Sequence, residues 1–352
     1  MGFKTSISKI HYDKKNNNLL FFLLKPFSVF YGIGSRLKNK LYDEGKLKPK
    51  KVRAFVISVG NLTTGGVGKT PVTAEIANYL VQRGEKVAIV SRGYGGKLGG
   101  VKVISDGQNV FFDADKAGDE PYWLGKNTKA VVITSKNRYK GAKFAIKKFG
   151  VTKIILDDGF QHRKLHRDLD ILVVDSEKGF GNEHLLPAGP LREGPEAFNR
   201  IDKLVIVSKS TEHSRAEKYA AVLGKKLKKD ALVCYAEPDY VYNILTPQEQ
   251  LAKGEKVIAF SSIGQPQQFY NFLGDYNVIK TVDFDDHHNY TFSDSEKLQQ
   301  ICTNLDVKKL ITTEKDAGKC LGSKFYLSVY ALKLKTKLDV QTLLGNISTP
   351  VS

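Results

Sequence analysis

Short apolar runs alternate along this chain with stretches in which the apolar residues recur at helical spacing. Residues 52–59 form a β-branched, apolar run that reads as a buried strand. Similar runs occupy 86–91, 130–134, 153–156, 169–174 and 204–207. Between them, 73–81 carries Ile76, Ala77, Leu80 and Val81 on one helical face, and 140–148 is also helical in pattern. Strands that are apolar throughout belong to a largely parallel sheet covered by helices on both faces. A second set of strands begins near Ala231, after a lysine-rich helix at 216–229, and includes 256–261, 278–284, 310–313 and 325–332. The pattern predicts an α/β core over 35–229 and a smaller α/β domain over 230–352.

The N-terminus breaks this rhythm. Residues 18–33 are strongly apolar and aromatic, are interrupted by Lys25-Pro26, and fall short of the ~20 residues that cross a bilayer. Lys14 and Lys15 precede the run; Arg36, Lys38, Lys40, Lys46, Lys48, Lys50 and Lys51 follow it. An apolar segment with basic flanks is the signature of an anchor lying on an anionic lipid surface. A core helix is the plainer alternative. A signal peptide fits poorly, since no small-residue cleavage site follows. Residues 1–34 are therefore expected to be a membrane-associated helix.

Charge sharpens the question of partners. Lys and Arg number 55 against 37 Asp and Glu, a formal charge of +18. Nucleic acid, an anionic membrane or a phosphorylated substrate would each fit that balance. No aromatic–basic recognition motif supports nucleic acid. Cys234, Cys302 and Cys320 are widely spaced and make neither a metal cage nor a disulfide framework.

Candidate chemistry begins at NLTTGGVGKTP, residues 61–71. A phosphate-binding loop reads G-x-x-x-x-G-K-[ST]; here Gly68, Lys69 and Thr70 supply its second half, while Thr63 stands at the first glycine's position. A strand before the loop and a helix after it, with Pro71 in the first turn, aim backbone N–H groups at one anion. Thr63, Thr64, Gly65, Gly66, Val67, Gly68, Lys69 and Thr70 are thus the expected nucleotide-binding residues. Lys69 would reach the β- and γ-phosphates and Thr70 would help hold Mg²⁺. Ligands in open α/β sheets lie beyond the carboxyl ends of the strands. There, 154–158 ends an apolar run in two carboxylates, which sets Asp157 beside the same cation. Asp119 and Glu120, in the turn AGDEP, read by themselves as the acidic start of a helix. The histidines in DDHHNYT, 285–291, lack the spacing that puts two on one helix face and read as a solvated turn.

Taken in order, GNLTTGGVGKTP (60–71), SRGYGGK (91–97), GDEP (118–121), LDDGFQHR (156–163), LLPAGPLRE (185–193), DHHNYT (286–291) and TTEKDA (312–317) resemble the tetraacyldisaccharide 4'-kinase family. The resemblance runs from about residue 18 to about 335. It accounts for Thr63, since that family's loop reads N-L-T-x-G-G-x-G-K-T-P. It implies a P-loop NTPase-type core, ATP and Mg²⁺ as cofactors, and phosphoryl transfer to the 4'-hydroxyl of an acylated glucosamine disaccharide 1-phosphate. It further implies Lys69 and Thr70 at the phosphates and Mg²⁺, Asp157 and Glu120 near the cation, and Asp119 as the catalytic carboxylate. The family pairs that carboxylate with a histidine, for which the DHH run offers His287 or His288. Arg92, Gln161, His162 and Arg192 match positions lining the substrate site. Val67 and the 262–266 turn depart from the family's usual residues without touching a reacting group. The expected setting is the cytoplasmic face of the inner membrane, among its lipids, with no obligate protein partner. The rival reading is a membrane-associated partitioning or targeting ATPase. Those loops carry a lysine just before the paired glycines, where this chain has Thr64, and they lack the GDEP and DHH motifs.

Overall fold

A computed structural model describes residues 10–13, 19–210, 213–285, 288–321, 325 and 327–345. In the first half of the chain the strands are β1 (Phe55–Gly60), β2 (Val87–Ser91), β3 (Val101–Ser105), β4 (Val131–Ser135), β5 (Lys153–Asp157), β6 (Leu169–Asp175) and β7 (Lys203–Ser208). The second half contributes β8 (Ala231–Asn243), β9 (Lys256–Ser261), β10 (Asn277–Asp283), β11 (Lys309–Thr313) and β12 (Ser328–Lys337). All twelve join one sheet in the order β10-β9-β11-β12-β8-β7-β6-β1-β5-β2-β4-β3. Only the β3–β4 and β8–β12 pairs are antiparallel. The boundary read near residue 230 coincides with the start of β8. Its first residues pair in parallel with β7 and its remainder pairs antiparallel with β12, so one strand carries the ladder from one half into the other.

The strands are apolar because both of their faces are buried. Ile57 and Val59 of β1 point into one core and Val56 into the other, as the two-residue period requires. Helix α2 (Lys69–Gln82) covers the first face with Ile76, Ala77 and Leu80. Helix α5 (Arg138–Phe149) covers the second with Ala142 and Ala145. The run at 325–332 starts before its strand because Phe325 stacks on Phe260, with ring centroids 6.0 Å apart, instead of entering the ladder. The short helix α10 (Val340–Leu344) returns to the first half, where Val340, Leu343 and Leu344 join the core under α2.

Helix α1 (Leu19–Asp43) runs through Pro26 without breaking, so the Lys25-Pro26 interruption is one of sequence pattern alone. Phe21, Ser28, Gly32 and Asn39, spaced as one helical stripe, are its buried face. That stripe rests on the 185–193 loop: Ser28 Oγ accepts from Ala188 N at 2.9 Å and Asn39 Nδ2 donates to Glu193 at 2.6 Å. The opposite face leaves Leu19 75%, Phe27 63% and Phe30 73% exposed, which a core helix does not do. Among the described residues no helix is long and apolar enough to cross a membrane.

Two more helices matter for the site: α3 (Ala114–Ala117) and α4 (Asp119–Asn127), which follow β3. Helices α6 (Ser214–Leu227), α7 (Pro266–Asn271), α8 (Phe292–Asn304) and α9 (Glu314–Cys320) belong to the connections further along.

Candidate active site

The loop between β1 and α2 is fixed by bonds to the 185–193 loop. Thr64 N donates to Pro190 O at 2.8 Å and Arg192 N to Leu62 O at 2.7 Å, while Thr63 forms an antiparallel bridge with Leu191. This is the physical reason that a glycine is dispensable at 63: the position is extended and buried, which suits a β-branched residue. Thr63 and Thr64 thereby frame the loop. Glycine is demanded at Gly68, whose φ of 91° is left-handed and where a Cβ would lie 2.9 Å from Val207 Cγ1. The turn at Gly68 starts α2 and points Lys69, its first residue, into the cleft.

Lys69 Nζ, nearly buried, sits 3.5 Å from Asp158 Oδ1. Asp158 adopts a φ of 53°, and both of its oxygens accept from Arg192 at 3.0 Å. Burial alone would raise its pKa, but Lys69 and Arg192 hold it below the usual carboxylate range. Its neighbour Asp157 has the opposite fate. At the end of β5 it is wholly buried, accepting from Thr73 at 3.3 Å and Ser91 at 3.4 Å. Burial, with the charge of Glu120 adding to it, pushes Asp157 up to about 7. Thr73 lies one helical turn beyond Thr70, so the Asp157 carboxylate faces the start of α2 on which Thr70 stands.

Gln161 bridges the two motif loops, donating to Asn61 O at 2.9 Å and accepting from Arg192 at 3.3 Å. His162 is pushed down to about 4 by burial, with Arg138, Lys164, Lys38 and Arg167 adding positive charge around it. Its Nε2 is buried without a hydrogen-bond partner. Arg92 is exposed at the rim, and its charge is felt at the buried Arg138.

Asp119 opens α4. The residue before it, Gly118, has a φ of 92°, and a Cβ there would lie 2.6 Å from Tyr94 O. Asp119 therefore stands inside the first turn and Gly118 takes the cap position, with no side-chain cap bond. Its Oδ2 lies 3.5 Å from Lys319 Nζ on α9. His287, the expected partner of Asp119, lies outside the described residues. His288 is engaged elsewhere: Nε2 is 2.9 Å from Asp294, and the ring stacks on Phe284.

The structure thus gathers Lys69, Asp157, Asp158, Gln161 and Arg192 at the ends of β1 and β5. Sequence reasoning missed Asp158, Arg138 and Lys319. Asp158 had a signal, being the second carboxylate of LDDG; Arg138 and Lys319 had none, since only the fold brings them here. Among the described residues no three or more His, Cys, Asp or Glu side chains converge as a metal cage. Two carboxylates, Asp157 and Glu120, are close enough for one to raise the pKa of the other, a repulsion that a divalent cation relieves. A cation held mostly by waters and phosphate oxygens fits that donor set.

The sequence model of the tetraacyldisaccharide-1-P 4'-kinase family matches residues 20–351. A tetraacyldisaccharide 4'-kinase from Desulfotalea psychrophila is 35% identical over 334 residues, spanning 92% of this chain and 95% of that protein. One from Halothermothrix orenii is 37% identical over 325 residues, spanning 86% and 84%. The crystal structure of "apo" form LpxK from Aquifex aeolicus in complex with ATP is similar at 34% identity and a TM-score of 0.74, covering 93% of this chain and 97% of that one.

Proposed function

The chain belongs to the tetraacyldisaccharide-1-P 4'-kinase family, and from that premise we propose how its residues divide the work of phosphorylating a lipid A precursor. ATP is the phosphoryl donor, and the acceptor is the 4'-hydroxyl of a tetraacylated glucosamine disaccharide 1-phosphate. The observation that carries the residue assignment is the Lys69–Asp158–Arg192 cluster beside the buried Asp157.

Without nucleotide, Asp158 neutralises Lys69. ATP offers Lys69 a stronger anion, and the lysine then lies along the β- and γ-phosphates while the N–H groups of 65–70 wrap them. Thr70, Asp157 and Glu120 would hold Mg²⁺, which when bound supplies positive charge against the phosphate oxygens. Asp119 accepts the proton of the 4'-hydroxyl as its oxygen bonds to the γ-phosphorus. The bond from that phosphorus to the β,γ-bridging oxygen breaks and ADP leaves. His287 orients the Asp119 carboxylate. Arg92, Gln161, His162 and Arg192 line the head-group site, which the positive surroundings of His162 make hospitable to the substrate's 1-phosphate.

The acceptor is a lipid, so the enzyme works at a bilayer surface. The exposed apolar face of α1 and its basic flanks suit a peripheral or shallowly inserted position on the cytoplasmic face of the inner membrane. The test is transfer from labelled ATP to the lipid disaccharide by the purified protein, beside parallel incubations with DNA and with vesicles lacking the disaccharide. ATP turnover that ignores the disaccharide would favour the partitioning-ATPase reading.

A further inference from the structure

We infer that Lys319 is a positioning residue, a post from the second half of the chain that holds the Asp119 carboxylate for proton acceptance. The inference rests on the reading of Asp119 as the base. Lys319 lies in the last turn of α9, and its side chain is only 5% exposed, so its ammonium must find partners inside the protein. An ammonium has three N–H donors. Three acceptors surround it: Ser262 Oγ at 3.0 Å, Asp316 Oδ1 at 3.2 Å and Asp119 Oδ2 at 3.5 Å.

The first two of these fix the post. Asp316 is completely buried, and its oxygens accept from Ser262 N, Ser262 Oγ, Thr313 Oγ1 and Lys319. Four donors fill the acceptor capacity of a carboxylate, so it has no second arrangement to adopt. Thr313 also caps α9 by accepting from Asp316 N. Ser262 follows β9, so the lysine is braced by two elements of the second half. The third neighbour, Asp119, comes from the first half and lies at ion-pair distance.

Helix α9 is itself fastened to α4, which carries Asp119. Glu314, at its start, accepts from Lys333 at 2.9 Å and from the Trp123 side chain, and Lys333 also donates to Asn127 at 2.5 Å. Near its end Gly318 faces the Tyr122 ring, where a Cβ would lie 3.0 Å from Cε1. Both ends of α9 are therefore tied to α4, and the Lys319–Asp119 pair spans a fixed interface. A carboxylate that must meet a sugar hydroxyl within hydrogen-bond reach gains from such a post, since misplacement by about 1 Å can cost ~100-fold in rate.

The experiment is a double-mutant cycle in the full chain, read as transfer from labelled ATP at saturating lipid substrate over a range of ATP concentrations. Lys319→Met should slow transfer ~10- to 100-fold while the KM for ATP stays within about twofold. In an Asp119→Asn background the same change should add nothing, because the lysine acts only through that carboxylate. Lys319→Gln, which keeps N–H donors toward Ser262 and Asp316, is run alongside in case the Met variant does not fold. Wild-type transfer by either folded variant overturns the proposal. So does an equal loss in the Asp119→Asn background, which would mean that Lys319 acts independently, and so does failure of both variants to fold. Normal transfer by Asp119→Asn alone is a separate outcome that removes the base assignment itself.

Discussion

At the phosphate end of the cleft, Lys69, Asp157, Asp158 and Arg192 are held by neighbours from the first half of the chain. At the hydroxyl end, Asp119 takes its charge partner from α9, beyond β8 in the second half. The side chains that contact one another at the phosphate end all come from the first half, although α10 packs beneath α2. The hydroxyl end exists only when the second half has extended that sheet and laid α9 against α4. On the division of roles proposed above, nucleotide binding and proton acceptance are separable, and substitutions should divide along that line.

The largest effect belongs to the phosphate end. Lys69→Ala should bring transfer down to background in a folded protein, because charge stabilisation of the phosphoryl group supplies most of the rate in this chemistry. A melting curve and ATP turnover, measured together, check it. Near-normal turnover by a folded variant would take the loop out of the mechanism. Next comes the hydroxyl end, where Asp119→Asn should lower the transfer rate ~10²–10⁴-fold with little change in ATP affinity. A helix-capping role for Asp119, by contrast, predicts almost no loss, since Gly118 holds the cap position. His287→Ala should also slow transfer, and the double variant should lose less than the product of the single losses. Strictly multiplicative losses would dissolve the pair.

The same division governs what could be read from sequence. The P-loop, the strand before it and the helix after it lie consecutively, and so do β5 and Asp157; local periodicity and one motif were enough to mark them, though not Asp158. Thr63 looked anomalous only because its partner, Leu191, lies in another loop. Asp119 was ambiguous because an acid in a helix's first turn has a sufficient local explanation, and nothing nearby in sequence announces Lys319. Residue 230 looked like a domain boundary because the pattern pauses there. The ladder nonetheless continues, for β8 changes partners along its length. Arg138 and Lys319 escaped the sequence because only the fold brings each of them to the aspartate it meets.

A smaller effect should come from the exposed apolar side of α1. Phe27 and Phe30 are on its exposed face, so Phe27→Ser with Phe30→Ser should leave the melting temperature nearly unchanged. Binding to anionic vesicles should weaken about tenfold or more, since each aromatic ring taken out of water is worth ~1.5–3 kcal/mol at full burial. Salt should weaken the wild type only in part, because the apolar contribution is not screened. If the double variant sediments with vesicles as fully as the wild type, the membrane contact lies on another surface.

The smallest effect is a pH dependence that sets Asp157 against His162. Asp157 rises from 3.8 to about 7 on folding, so between those values the folded state binds more protons than the unfolded one. Its contribution to stability is full below about pH 4 and is lost as pH rises through about 7. His162 falls from 6.5 to about 4, so the unfolded state is the one that binds more protons. Its contribution is full above about pH 6.5 and is lost as pH falls toward 4. The two slopes oppose each other over nearly the same window and largely cancel in the nucleotide-free protein. His162→Gln should unmask the Asp157 slope, so that the melting temperature drifts downward from pH 4.5 to 6.5. Asp157→Asn should unmask the other, so that it drifts upward, each by about 1 °C per pH unit relative to the wild type. Partial exposure of the His162 ring makes its slope the shallower of the two. Differential scanning calorimetry of the three proteins without Mg²⁺ measures it. Parallel melting profiles for the two variants would show that neither group changes its protonation on folding.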